Sequence, residues 1–263
     1  MDKIERPGDD FLEPLKEFTA ARIAIGRTGA SIPIKQSLSF NLAHAHARDA
    51  VYSELDPEGL TKAMDEFGLP VLLLHSKAAY REQYLQRPDL GRQLNEESVS
   101  LLADYHRHND IVIIIGDGLS ATAVNRNSTS LLKILIPQLQ SAGLKLAPIC
   151  LVKQARVAVA DDIGSQSGSA LSIILIGERP GLSAADSMGV YLTYDPRPGL
   201  TDECRNCISN IRVHGLSAKQ ASKKIFYLVQ EAFRRKISGV ALKDDAGLLN
   251  FTDGTPILGS RQN

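Results

Sequence analysis

The sequence predicts an α/β fold: a mostly parallel, Rossmann-like sheet flanked by helices, with a small helical N-terminal region before it. Three observations carry that expectation. From about residue 70, short apolar runs alternate with segments of helical periodicity. One run, Ile111-Val-Ile-Ile-Ile115, is wholly β-branched, the pattern of a strand buried on both faces. Further on, Ser217 and Gln220 form a Ser-x-x-Gln capping box ahead of a regular apolar stripe, which marks a helix start.

Taken in order, residues 1–50 read as helical. The string Asp10-Phe-Leu-Glu-Pro-Leu-Lys-Glu-Phe18 opens a short segment, and Gly26, Gly29 and Pro33 mark a linker. Residues 34–55 place Leu38, Leu42, Ala45 and Asp49 at helical spacing, with Pro57 and Gly59 expected to end the helix. Val71–His75 reads as a strand, and 92–106 as a helix after the break at Pro88 and Gly91. Residues 119–142 read as a helix broken at Pro137 and capped by Gly143. Strands are expected over 145–152, 170–176 and 190–194, with a Pro-Arg-Pro-Gly turn after the last. The final helix carries Ala221, Ile225, Leu228, Val229 and Ala232 on one stripe. Arg234, Arg235 and Lys236 suit its negative end, and Gly239 is expected to stop it. The organisation is thus a helical region over 1–65 and an α/β domain over 66–263.

Composition narrows the function classes. The 263 residues carry 30 Lys+Arg against 30 Asp+Glu, with 43% hydrophobic and 23% charged residues, as in an ordinary folded chain. Charge balance argues against a nucleic-acid partner, and aromatics at 5% with no Trp argue against a base-stacking platform. No run approaches the roughly 18 apolar residues of a membrane span. The charged start, Met1-Asp-Lys-Ile-Glu-Arg6, lacks the apolar stretch of a secretory signal. Three cysteines, an odd number in a long chain, suggest free thiols in the reducing cytoplasm.

Several motifs invite chemistry. Gly116-Asp-Gly-Leu-Ser-Ala121 follows the strand 111–115, the right place for a phosphate-cradling turn. A dinucleotide site also needs an acid at the tip of the next strand, and none lies around Leu135–Leu144. A stand-alone, Rossmann-like nucleotide enzyme using Gly116–Ala121 therefore stays an alternative, beside a turn for another ligand and a structural turn. Gly177-Glu-Arg-Pro-Gly-Leu182 follows a strand and so has a ligand loop's address, although a solvated Glu-Arg pair would read the same. Cys204-Arg-Asn-Cys207 lacks the second ligand pair of a zinc site and the helix start of a redox motif, which leaves packing or ligand contact by one cysteine. His44 and His46, like His106 and His108, are two apart and would face opposite sides of a helix. Asp104-Tyr-His106 does not continue into a base-off cobalamin motif, since position 109 is Asn. No metal site and no catalytic set emerges from the residues.

Six strings in order carry a resemblance: Arg22-Ile-Ala-Ile-Gly-Arg-Thr-Gly29, Phe40-Asn-Leu-Ala-His-Ala-His-Ala-Arg-Asp49, Arg87-Pro-Asp-Leu-Gly-Arg92, Gly116-Asp-Gly-Leu-Ser120, Gly177-Glu-Arg-Pro-Gly-Leu182 and Cys207-Ile-Ser-Asn-Ile211. Together, from about residue 20 to Gly239, they resemble the small (light) subunit family of ethanolamine ammonia-lyase. The resemblance implies a hetero-oligomeric lyase whose large subunit holds ethanolamine and most catalytic groups. The small subunit would cover adenosylcobalamin at the interface, for a radical conversion of ethanolamine to acetaldehyde and ammonia. The 66–263 domain would then be the cobalamin-contacting one. Three of the family's cobalamin contacts fall on matching positions: Val157 as an apolar surface, Glu178 as an acceptor for corrin amides, and Cys207 as a small soft side chain against the ring. None of the three is a cobalt ligand or a catalytic group, and Cys204 has no counterpart. Ethanolamine degradation of this kind is placed in the cytoplasm or a bacterial microcompartment. The long extension that accompanies packaging in some relatives is not expected before the first helix, which leaves the microcompartment setting open.

Overall fold

The computed structural model describes residues 12–19 and 21–243, so Asp10 and Phe11 of the first expected segment lie outside the described residues. Glu13–Glu17 form one short 3-10 turn, and residues 21–33 are largely irregular. The first long helix, α1, spans Ile34–Val51. It is followed by α2 (Pro57–Met64), β1 (Val71–His75), α3 (Arg81–Gln86), α4 (Glu96–Ala103), β2 (Asn109–Gly116), α5 (Ala121–Ser141), β3 (Ile149–Lys153), α6 (Val159–Gln166), β4 (Ser169–Gly177), β5 (Met188–Tyr194), β6 (Asn206–Ile211) and α7 (Ala218–Arg235).

The six strands form one sheet in the order β1-β3-β2-β4-β5-β6. The first four are mutually parallel; β5 runs antiparallel to both β4 and β6. The sheet is therefore mixed rather than mostly parallel. Parallel neighbours need a crossover of a dozen or more residues, usually helical. Residues 178–187 fold back on themselves through a Gly181–Ala184 bridge, so β5 must return beside β4 in the opposite sense.

Alternation on the strands sorts two cores. Ile111, Ile113 and Ile115 face a layer built from α2, α5 and α7, whereas Val112 and Ile114 face α4 and α6. That is why the all-apolar run was legible as a doubly buried strand. In the first layer lie Met188, Val190 and Leu192 of β5 and Ile208 and Ile211 of β6. The opposite side of β5 and β6 presents Gly189, Tyr191, Cys207 and Ser209.

Four local expectations change. Pro57 starts α2 instead of ending α1: at the first turn its missing N–H costs nothing, and Asp56 accepts from the Gly59 N–H at 3.0 Å as the cap. Helix α5 runs unbroken through Pro137. Leu131, Leu132, Leu135, Ile136 and Leu139 bury its apolar face, while Lys133, whose carbonyl loses its partner, is on the exposed side. Helix α7 has its Ser217–Gln220 box and buried stripe, but Lys236 in the left-handed region (φ 57°) ends it. Gly239 (φ 74°) instead lets the chain pass close to the Glu203 carbonyl. The segments 81–86, 159–166 and 206–211 are elements that periodicity did not announce.

One buried ion pair pins the far edge. Arg205 and Asp161 are 2% and 3% exposed, with Nη1 to Oδ1 at 2.5 Å. Arg205 also donates to the Leu200 carbonyl at 3.0 Å, tying the 195–205 loop and the start of β6 to α6. Burial opposes the charge on Arg205, but the Asp161 and Asp202 carboxylates outweigh it and hold the guanidinium above its ordinary range. Arg205→Ala is expected to cost roughly 3–5 kcal/mol in urea unfolding, because it strands Asp161 in the interior. A loss below about 1 kcal/mol would place Asp161 in contact with water.

Candidate functional site

Strands β1 to β4 and β6 all deliver their carboxyl ends to one edge of the sheet, where open α/β sheets bind ligands. The glycine-rich turn sits there but is filled by protein. A Cβ on Gly116 would meet Ala155 at 2.7 Å, and one on Gly118 (φ 59°) would meet the Gly177 carbonyl. The Leu119 N–H donates to Gly177 O at 2.9 Å, and the Thr122 N–H donates to Ser53 Oγ at 3.0 Å. These contacts occupy donors that a phosphate cradle would offer at the start of α5. Asp117 is likewise spent on structure: its carboxylate accepts from the Gln154 and Ala155 N–H groups, both at 2.8 Å. Burial pushes its carboxyl up, against those two hydrogen bonds. The glycines here serve close packing of backbone on backbone, and the turn supplies no nucleotide cradle.

The neighbouring loop is different. Glu178, directly after β4, is half-buried and lies over β5, where a Cβ on Gly189 would come within 3.0 Å of its Oε1. Its carboxylate is held by three donors. Ser187 Oγ donates to Oε2, Ser209 Oγ donates to Oε1 at 2.5 Å, and the Asn210 N–H donates to Oε2 at 3.3 Å. A carboxylate offers about four lone-pair sites, so Oε1 keeps one for a further donor. Beside it, Cys207 on β6 pairs in register with Tyr191 on β5. Burial pushes the Cys207 thiol up; the Tyr191 hydroxyl opposes the shift and the Glu178 charge adds to it. Tyr191 is also raised, by burial first and then by Cys207 and Glu178. Glu178, Tyr191 and Cys207 therefore lie together on one sheet face. Cys207 and Ser209 keep part of their surface open there although the thiol lies against the Tyr191 side chain, because α6 covers β4 and does not reach this edge.

Val157 lies in the turn between β3 and α6 and packs, half-buried, against the same core cluster as Tyr191. The sequence-predicted residues thus share one side of the sheet, with Glu178 and Cys207 brought together around Tyr191. Tyr191, Ser187, Ser209 and Asn210 were missed. Only Tyr191 carried a signal, as a polar-tipped residue alternating with Val190 and Leu192. Cys204 sits in a 3-10 turn, Asp202–Cys204, apart from this face, and the Cys150 thiol is inert, pushed up to about 12 by burial. All three thiols are free, and among the described residues no group of three His, Cys, Asp or Glu could hold a metal ion. Among those residues, no helix is long and apolar enough to cross a membrane. Chemically, the face can accept a hydrogen bond and pack a flat, partly apolar body. Its thiol, pushed up by burial, is not an activated nucleophile.

Comparison with known proteins places the chain in context. The family profile described as ethanolamine ammonia-lyase light chain matches residues 9–243. The ethanolamine ammonia-lyase small subunit of Pseudomonas fluorescens (strain SBW25) is 49% identical over 260 residues, covering 97% of this chain and 94% of that protein. The small subunit of Azotobacter vinelandii is 52% identical over 238 residues, covering 89% and 88%. That of Pseudomonas aeruginosa (strain LESB58) is 49% identical over 251 residues, covering 94% and 92%.

The raised Cys207 thiol has a direct consequence. At about pH 7 its alkylation by iodoacetamide is expected to be slower than that of free cysteine, rising only above the ordinary thiol range, with Cys150 unlabelled throughout. Peptide mass spectrometry reads both rates. Fast labelling of Cys207 near neutrality would mean an activated thiolate.

Proposed function

The chain belongs to the ethanolamine ammonia-lyase light-chain family, and we propose that it closes over adenosylcobalamin at the interface with a large subunit, using the bare face of β5 and β6. The observation that carries this reading is the convergence of Glu178 and Cys207, distant in sequence, around Tyr191 on a side of β5 and β6 that, among the described residues, no helix covers. The resemblance assigns cobalamin contacts to those two positions and to Val157.

The residues present suit such a group. A corrin is a flat ring with an apolar face and a fringe of amides. Cys207 is small and soft enough to lie against the face, and Val157 adds apolar surface. Glu178 keeps an acceptor site for an amide N–H, and a charged acceptor strengthens that bond. When bound, adenosylcobalamin supplies the organic radical that starts conversion of ethanolamine to acetaldehyde and ammonia. This chain's own part is to bind, orient and exclude water; the ethanolamine site and its catalytic groups belong to the large subunit.

Helix α1 supports a partner. Ile34, Leu38 and Leu42 repeat at four-residue spacing and are 78%, 61% and 58% exposed. An apolar stripe so bare suits a protein interface. In this reading α1, within the N-terminal region 1–65, reaches the large subunit, and the domain 66–263 presents the cofactor face. A setting in the cytoplasm or a bacterial microcompartment belongs to the same proposal.

Alone, the chain is expected to release no acetaldehyde from ethanolamine with adenosylcobalamin; mixing with the large subunit should restore turnover. In the assembled complex, Cys207→Phe should crowd the ring and weaken cobalamin binding severalfold, while Cys204→Ser leaves it unchanged. Turnover by the chain alone, or equal effects of the two substitutions, would overturn the reading.

A further inference from the structure

We infer that a β-bulge in β6 is the device that aims Glu178, with Ser209 as its positioning residue. The inference rests on the cofactor-face reading above and extends it to residues that touch Glu178. Between the paired positions Met188↔Ile211 and Val190↔Ile208, β5 supplies Gly189 alone, whereas β6 supplies both Ser209 and Asn210. Two residues against one is a bulge, a feature that re-aims side chains at sheet edges. Asn210 takes the extra turn in the left-handed region (φ 62°), which Asn tolerates better than most residues.

The bulge turns two donors the same way. The Ser209 hydroxyl donates to Glu178 Oε1, and the Asn210 N–H, freed from the ladder, donates to Oε2. Ser187, at the end of the 178–187 loop, donates to Oε2 from the β5 side, and its carbonyl accepts from the Glu178 N–H at 3.0 Å. Arg212 steadies the bulge, its Nε donating to Asn210 Oδ1 at 2.7 Å. The carboxylate is thereby gripped from both neighbouring strands, with one lone pair of Oε1 left over. An exposed glutamate would otherwise sample several rotamers and lose that freedom on binding a ligand. The clamp has already removed it, which is preorganisation of the acceptor.

The test is a double-mutant cycle in the complex assembled with the large subunit, read by optical titration with hydroxocobalamin and not by turnover. Ser209→Ala should weaken binding about tenfold or more, the scale of one hydrogen bond to a charged group. Ser209→Thr, which keeps the hydroxyl, should restore affinity. Glu178→Ala should weaken binding more, and adding Ser209→Ala to it should cause no further loss, because a residue acting through another is silent once that other is gone. An equal loss from Ser209→Ala with and without Glu178 would overturn the inference by making Ser209 an independent contact. Failure of threonine to rescue, or no loss on Ser209→Ala, would also overturn it. So would lost assembly in Ser209→Ala, which would make Ser209 an interface residue. If Glu178→Ala itself leaves hydroxocobalamin affinity unchanged in an intact complex, the cofactor-face reading fails and the bulge inference falls with it.

Discussion

Residues 178–187 connect β4 to β5 without the dozen or more residues that a parallel crossover needs, and that shortage shapes the β5–β6 half of the sheet. Up to β4, each strand is followed by helix, and both faces of the sheet are covered. After β4 the chain can only double back, so β5 and β6 extend the sheet antiparallel and, among the described residues, have a helix, α7, on one side alone. The other side is left to Gly189, Tyr191, Cys207 and Ser209, residues with polar tips or none. A face that a helix would have filled with leucine or valine is instead available to something from outside. The same loop carries Glu178 at its first position and Ser187 at its last, so the reversal also delivers an acceptor and one of its donors.

The buried Arg205–Asp161 pair supports this edge from beneath. Loops joining antiparallel strands carry little apolar surface, and the 195–205 loop is held by charge and hydrogen bonds to α6 and to its own carbonyls. Breaking such a pair is costly, whereas its net worth over an apolar substitute is small. Its value is therefore geometric: it fixes the start of β6, and with it the register that opposes Cys207 to Tyr191.

The central sheet was legible in the sequence because burial on both faces writes a continuous apolar run, as at 111–115 and 170–176. The edge was not. Strand β6, Asn-Cys-Ile-Ser-Asn-Ile, buries only Ile208 and Ile211, and its bulge breaks the strict alternation that marks a strand. Pro57 and Pro137 misled because a proline's effect depends on its place in the turn and on which face it takes, and neither is written locally. Of the site, Glu178 and Cys207 were named through motif resemblance, since nothing in their spacing brings them together. The glycine-rich turn gave the opposite lesson. Its pattern suits a ligand, yet Gly116 and Gly118 are used so that β2 can approach β4 and the loop after β3.

In the proposed assembly, cobalamin covers the Tyr191–Cys207 face. Differential alkylation of the complex with and without hydroxocobalamin tests it most directly, with Cys204, which lies apart from the face, as the internal reference. Bound cobalamin should suppress labelling of Cys207 and leave Cys204 unchanged. Cys207 labelled at the same rate with and without bound cobalamin would contradict it.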